Sequence, residues 1–378
     1  MAQKRVLIVG GGAIGLAVGW RLARAGCTVA LFDRGRVGHS ASWASAGMLS
    51  PLSEVQFEEE DLLHLGLKGL AVYPEFVGEL EAETGCCVGY RRDGVLLVGI
   101  TQDDLEYLKF RYRYQRDLGL SVAYLSGDEA REREPHLSAQ VSAAVWCPGD
   151  HQVDNRRLVM ALKKGLVAAG GDVFEEMGVD ELLIDEARVR GVRVGEEFFE
   201  GDTVVLASGC WSRLIPGLPD CARPPVRPVR GQIMRLTMTE DFALNTMIWY
   251  SRVATSTVAY LVPKDNGHLV LGATSEEMGF DEDVTAGGMF ELLRAAWEVV
   301  PGVYDLPLVE SAAGLRPGSR DDAPILGETP IEGLIMATGH YRKGILLAPL
   351  TALSIAEVIL ERRTPALIRP FGIDRFGL

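Results

Sequence analysis

An apolar run from Val6 to Val9 ends at Gly10-x-Gly12-x-x-Gly15. Ile14, Val18, Leu22 and Ala25 then recur at helical spacing, and a second apolar run closes on Asp33. The order strand, tight turn, helix, strand, acid predicts a βαβ unit. Residues 58–83 read as a helix, with Leu62, Leu63, Leu67, Leu70, Phe76 and Leu80 as its apolar positions. Residues 86–100 read as strands turned at Arg92-Asp93-Gly94, and 102–118 as a polar helix capped by Thr101. A further helix runs from the Asp154-Asn155 cap to Ala169, before Gly170-Gly171. Short strands follow at Val173 to Phe174 and Val189 to Val194. A buried strand from Thr203 to Ser208 ends in Gly209 and returns the chain to the first sheet.

Residues 223–230 hold three prolines and mark a boundary. Beyond them lie strands around 231–237 and a hairpin turned at Asn266-Gly267. A helix over 285–299, a strand from Leu334 to Ala337, a glycine-containing loop and a closing helix complete the chain. Segments of the first type thus recur at the start, middle and end, with β-rich material between. The predicted fold is α/β plus α+β. A discontinuous Rossmann-like domain, a parallel sheet flanked by helices, occupies 1–84, 145–225 and 312–378. A mostly antiparallel domain occupies 85–144 and 226–311 and is expected to hold the substrate. The length of 378 residues suits two such units better than one small core.

Charge and cysteine usage narrow the partners. A net charge of −14 argues against nucleic acid and anionic membranes, so any anion site must be built from local arginines. The cysteines (Cys27, Cys86, Cys87, Cys147, Cys210 and Cys221) form no C-x-x-C pair, which points to free thiols in a reducing, cytoplasmic compartment. Lys4 and Arg5 before an apolar run resemble a signal peptide, but Gly10 to Gly12 break that run. No stretch of about 18 apolar residues is expected, hence no membrane insertion.

The chemistry starts at the glycine turn. Its glycines let backbone approach a pyrophosphate, and the following helix offers free N–H groups to it. Asp33 lies 18 residues beyond Gly15, where an acid meets a ribose hydroxyl. The acid favours FAD or NAD over NADP, although Arg34 blurs that choice. Gly314-Leu315-Arg316-Pro317 places an arginine on a rigid turn. That suits a two-pronged carboxylate contact and an exposed surface turn equally. The segment from Thr338 to Pro349 reads as strand end, glycine loop and helix start, whose positive end suits a ligand edge where negative charge develops. His340 alone reads as a packed histidine. Tyr260 on the hairpin reads first as packing, and gains weight only from Thr274 and Ser275 opposite. No metal-ligand spacing, G-x-S-x-G elbow or second glycine fingerprint for NADPH is present, so the substrate itself is expected to reduce a flavin.

Taken together, these segments resemble the flavin-dependent amine and amino-acid oxidases of the D-amino-acid oxidase superfamily, and within it the glycine oxidases. The resemblance spans essentially the whole chain. It rests on the N-terminal fingerprint, Ser45 to Leu49, Gly149 to Arg157, Ala207 to Ser212, Val229 to Gln232, Gly314 to Pro317 and Thr338 to Pro349. It implies FAD held by Gly10, Gly12, Ala13, Ile14, Gly15, Asp33, Arg34, Ser45, Ala46, Gly47, Met48, Val179, Ser208, Gly209 and Trp211. His340, Tyr341, Arg342, Lys343, Gly344, Ile345 and Leu346 fall in the loop that covers the flavin ring. Arg316, Tyr260 and Arg342 match catalytic positions, the first two on the substrate carboxylate. Ser275, Met48 and Tyr341 match pocket positions, with Ser275 standing where a methionine is familiar. Residues 310–316 contain no cysteine, so FAD is expected to be non-covalent.

The activity implied is oxidative deamination of glycine, other small amines or D-amino acids. Hydride passes from the α-carbon to flavin, and oxygen gives hydrogen peroxide, ammonia and glyoxylate. The imine formed from glycine would feed thiazole synthesis for thiamine. A sarcosine oxidase, a quinone-linked D-amino-acid dehydrogenase and a non-catalytic FAD sensor are the alternatives. A homotetramer is implied as well.

Overall fold

The computed structural model describes residues 4–57, 59–253 and 257–377. Six strands form the first sheet, in the order Ile325–Glu328, Leu334–Thr338, Thr203–Leu206, Arg5–Val9, Thr28–Phe32 and Asp172–Phe174. Every neighbouring pair is parallel except Ile325–Glu328 against Leu334–Thr338. The central strand is apolar at four successive positions because both sheet faces are covered. Val6 and Ile8 face the helices Ala13–Arg24, Asn155–Ala168 and Gly344–Glu361. Leu7 and Val9 face a three-stranded antiparallel meander, Glu181–Asp185, Arg188–Val194 and Glu197–Glu200.

Eight strands form the second sheet, in the order Leu308–Gly318, Arg227–Thr237, His268–Gly272, Thr257–Pro263, Met247–Arg252, Val95–Gly99, Ala143–Cys147 and Ala123–Ser126. Its pairs are antiparallel apart from Met247–Arg252 on Val95–Gly99. Helix Ala286–Val299 packs on one face through Leu292, Ala295, Ala296 and Val299. The other face, through Leu97, Ile233, Val262 and Val270, packs toward Ala46, Leu52 and Leu63 of the first half.

Local signals located most elements. Thr101 and Asp104 form a reciprocal capping box on helix Gln102–Asp117. Asp154 caps Asn155–Ala168 by accepting from the backbone N–H groups of Arg156 and Arg157. The hairpin turns at Asn266-Gly267, as its dipeptide requires. The predicted helix over 58–83 spans Glu60–Thr84, with position 58 outside the described residues.

Three expectations change. Residues 86–92 are not a strand: Arg91 makes an isolated bridge to Gln152, and pairing starts only at Val95. The domain boundaries placed at 145 and 312 fall inside Ala143–Cys147 and Leu308–Gly318, which belong whole to the second sheet. Finally, Gly344–Glu361 is an 18-residue helix long and apolar enough by composition to cross a membrane. In this structure 72% of it is buried, against helices Ala13–Arg24 and Glu60–Thr84. A helix apolar all round is what a fully enclosed core position demands.

Candidate active site

A cleft of about 430 Å³ runs between the two sheets. One end is built from the glycine turn. A Cβ on Gly10, where φ is 109°, would lie 2.5 Å from the Ala207 carbonyl oxygen, and one on Gly15 would lie 1.9 Å from that of Gly10. Only glycine lets the turn press against both the neighbouring strand and its own helix. Gly12, Ala13 and Ile14 thereby form wall, at the N-terminus of helix Ala13–Arg24. Asp33 is fixed beside them: Oδ2 accepts from the Gly11 N–H at 2.7 Å and Oδ1 from the Gly35 N–H at 2.8 Å. Burial pushes its carboxyl above the usual range, against these two bonds. The Arg34 guanidinium lies 3.8 Å over the Trp211 ring. Val179, Ser208, Gly209 and the Ser45–Met48 segment line the same cleft.

The other end is built from side chains of the second sheet. Arg316 stands on Leu308–Gly318, in register with Val229 on the adjacent strand. Its guanidinium lies over Gly231, where a Cβ would come within 2.4 Å of it. Nη1 donates to the Thr274 carbonyl at 3.0 Å and to the Arg230 carbonyl at 3.4 Å. Among the described residues no carboxylate pairs with Arg316. The buried Tyr260 hydroxyl faces the same guanidinium. Burial raises the Tyr260 pKa, while Arg316 and Arg342 pull the other way.

Residues 339–343 close this end. The Tyr341 N–H, at a residue with φ of 49°, donates to the Pro317 carbonyl at 3.0 Å, tying the turn to the Arg316 strand. The Arg342 guanidinium lies 4.8 Å over the Tyr341 ring. His340 is buried with Nε2 at 3.0 Å from Thr351 Oγ1, and burial pushes its pKa down to about 3. The imidazole is therefore neutral. Gly344 and Ile345 open the final helix on the cleft wall.

The structure thus gathers Arg316, Tyr260, Arg342, Met48 and Tyr341 around one cavity. It separates others. Ser275 is exposed and does not line the cleft, because its neighbours Thr274 and Glu276 are the residues whose backbones bond to strand Arg227–Thr237. Lys343 turns to Glu54, 3.7 Å away, and Leu346 packs toward Gly66 and Gly69 of helix Glu60–Thr84. Gly15 supports the turn from behind. Glu54, Trp249, Gly231 and Glu282 also line the cleft, beyond the residues expected from the sequence. Gly231 sits in the Val229 to Gln232 motif, which was its signal. Glu54 lies in an aperiodic loop and had none. Among the described residues no cluster of His, Cys, Asp and Glu suits a metal.

An elongated cleft with a glycine cradle and a ribose-type acid at one end, and an uncommitted arginine at the other, fits a dinucleotide with a small anionic substrate. Comparison with known proteins agrees. The chain matches the family model of FAD-dependent oxidoreductases, DAO, over residues 5–358, and it belongs to that family. FAD is its cofactor. It is similar to the glycine oxidase of Geobacillus kaustophilus, at 36% identity over 98% of this chain and 96% of that one. The crystal structure of glycine oxidase from that organism matches with a TM-score of 0.90 at 35% identity, covering 99% of each chain. The bifunctional protein ThiO/ThiG of Synechocystis is 35% identical over 98% of this chain, which spans only 54% of that longer protein.

Proposed function

We propose that this chain is a glycine oxidase that supplies the glycine-derived imine for thiazole assembly in thiamine biosynthesis. Full-length similarity to proteins named glycine oxidase and half-length similarity to ThiO/ThiG support the reading. The observation that carries it is Arg316, a guanidinium in the cleft held by two backbone carbonyls and the Tyr260 hydroxyl, with no carboxylate partner among the described residues. Such a group presents its remaining donors to a carboxylate in fork geometry. Tyr260 adds a hydroxyl donor beside it.

Gly12, Ala13 and Ile14 would hold the FAD pyrophosphate and Asp33 a ribose, with Val179 toward the adenine. Ser45 to Met48 and His340 to Ile345 would flank the ring. Bound there, without a covalent link, FAD supplies the two-electron acceptor for the α-carbon hydrogen. Arg316 and Tyr260 orient that hydrogen by gripping the carboxylate, so the chain's contribution is positioning and electrostatics. No side-chain base is required. His340 is unsuited to that role: burial lowers its pKa to about 3, which makes it a weak base, and its Nε2 is bonded to Thr351. The overall reaction is glycine, oxygen and water giving glyoxylate, ammonia and hydrogen peroxide. The buried free thiols Cys27, Cys147 and Cys210 support a reducing compartment.

Anaerobic addition of glycine to the FAD-loaded protein is expected to bleach the flavin absorbance, and oxygen to restore it with release of peroxide. An unchanged spectrum with glycine overturns the substrate. Bleaching without peroxide on reoxidation overturns the oxidase reading.

A further inference from the structure

The two carbonyls that hold Arg316 belong to Arg230 and Thr274, and both residues sit in one hydrogen-bonded network around Glu276. Arg230 is 2% exposed and donates to Glu276 Oε2 at 2.6 Å and to Asp281 Oδ2 at 2.8 Å. Its backbone also exchanges two hydrogen bonds with that of Glu276, at 2.8 and 3.0 Å. The second carboxylate oxygen, Oε1, accepts from Thr274 Oγ1 at 2.5 Å and from Gln232 Nε2 at 2.7 Å. Thr274 Oγ1 in turn accepts from the Gln232 N–H at 2.9 Å. Gln232 Oε1 accepts from the Thr285 N–H at 2.8 Å, and Thr285 caps helix Ala286–Val299. One carboxylate therefore clamps the 274–276 turn onto strand Arg227–Thr237, with the helix cap as backing.

This arrangement solves a problem peculiar to an arginine that must receive a substrate. A carboxylate placed on Arg316 itself would orient the guanidinium but also neutralise it. Glu276 spends its charge on Arg230 instead and reaches Arg316 through intervening carbonyls, chiefly that of Thr274 at 3.0 Å. The long side chain is thus held in one geometry while its charge stays available.

Taking the Arg316 reading above as its basis, we propose that Glu276 is a positioning residue for carboxylate recognition, fixing the Thr274 carbonyl that aims the Arg316 guanidinium. In Glu276→Gln, the amide nitrogen must face either the Arg230 fork or the Thr274 and Gln232 donors. Either way donor meets donor, and the turn is released. Misplacement of a gripping group by about 1 Å costs on the order of 100-fold.

The test uses full-length, FAD-loaded protein in a double-mutant cycle of Glu276→Gln with Arg316→Ala. Glycine is titrated in anaerobic flavin reduction, and acetate, a carboxylate without a reducing amine, is titrated by its perturbation of the flavin spectrum. Glu276→Gln is expected to weaken both ligands roughly 10- to 100-fold, with the limiting reduction rate within about threefold. In the Arg316→Ala background the same change is expected to shift neither by more than about twofold. Thr274→Val, which leaves the Arg230–Glu276 pair in place, is expected to weaken both by roughly 3- to 10-fold. This milder variant reports the role even where Glu276→Gln does not fold. Equal losses in both backgrounds overturn the proposal, as does unchanged binding in both variants. Those results are separate from failure of the underlying reading, which shows as Arg316→Ala alone leaving both ligands within threefold.

Discussion

The two ends of the cleft are made of different material. The end assigned to FAD is mostly backbone, with its centre in one stretch of chain: Gly10, Gly12, Ala13 and Ile14 turn within a few residues, and Asp33 is tied to the N–H groups of Gly11 and Gly35. The end assigned to the substrate is side chains brought from separate strands and a distant turn: Tyr260, Arg316 and Arg342, with Gly231 leaving room for the guanidinium. A cofactor common to many enzymes can be held by groups that every residue carries. A particular small substrate needs charges that only particular side chains carry, at positions that only strand pairing supplies.

Substitutions at each end should therefore fail separately. The largest effect is expected from Arg316→Ala, a loss of about 2–5 kcal/mol in substrate binding, or roughly 30- to 5,000-fold in kcat/KM. FAD content, measured on the purified variant, should be unchanged. A loss below threefold in steady-state kinetics would remove Arg316 from its role. Next comes Asp33→Ala, which deletes the carboxylate assigned to the ribose and its bonds to Gly11 and Gly35. FAD titration of the apoprotein should show roughly 10- to 150-fold weaker binding, from about 1.5–3 kcal/mol for bonds to a charged group. Glycine affinity of the reloaded variant should stay near wild type, and parallel loss of both would break the separation.

His340 sits at the joint and reports stability rather than binding. Its pKa falls from the ordinary 6.5 to about 3 in the folded chain, because burial penalises the cation. The stabilisation of neutral His340 is therefore fully present above 6.5 and is lost as pH falls toward 3. His340→Gln retains a partner for Thr351 and does not titrate. Its Tm should fall less steeply than wild type between pH 6.5 and 4 in thermal melts, and parallel curves would count against the assignment. The smallest effect is expected at Ser275→Met. Because Ser275 is exposed and off the wall, the ratio of kcat/KM for glycine to that for D-alanine should move less than about twofold. A larger shift would place Ser275 back in the pocket.

Much of the fold was legible one segment at a time. The Thr101 and Asp154 caps, the Asn266-Gly267 turn and the strand–glycine–helix–strand opening each depend on contacts within a few residues, and each formed where the pattern put it. The misreadings fall where a partner decides. Residues 86–92 have strand-like composition but find no neighbour beyond the Arg91 bridge. The boundaries at 145 and 312 missed because a strand belongs to whichever sheet pairs with it along its length. Composition alone did not separate the final helix from a membrane span, whereas its burial between two other helices does.

The site divides along the same line. Glycines, helix start and acid follow one another along the chain, so their chemistry is written in their order. Arg316 over Gly231, the Glu276 clamp behind it and the exposure of Ser275 arise from cross-strand register and from the bonding of Thr274 and Glu276 to strand Arg227–Thr237. Those are long-range pairings, set by how the second sheet buries its faces, and no window of neighbouring residues contains them.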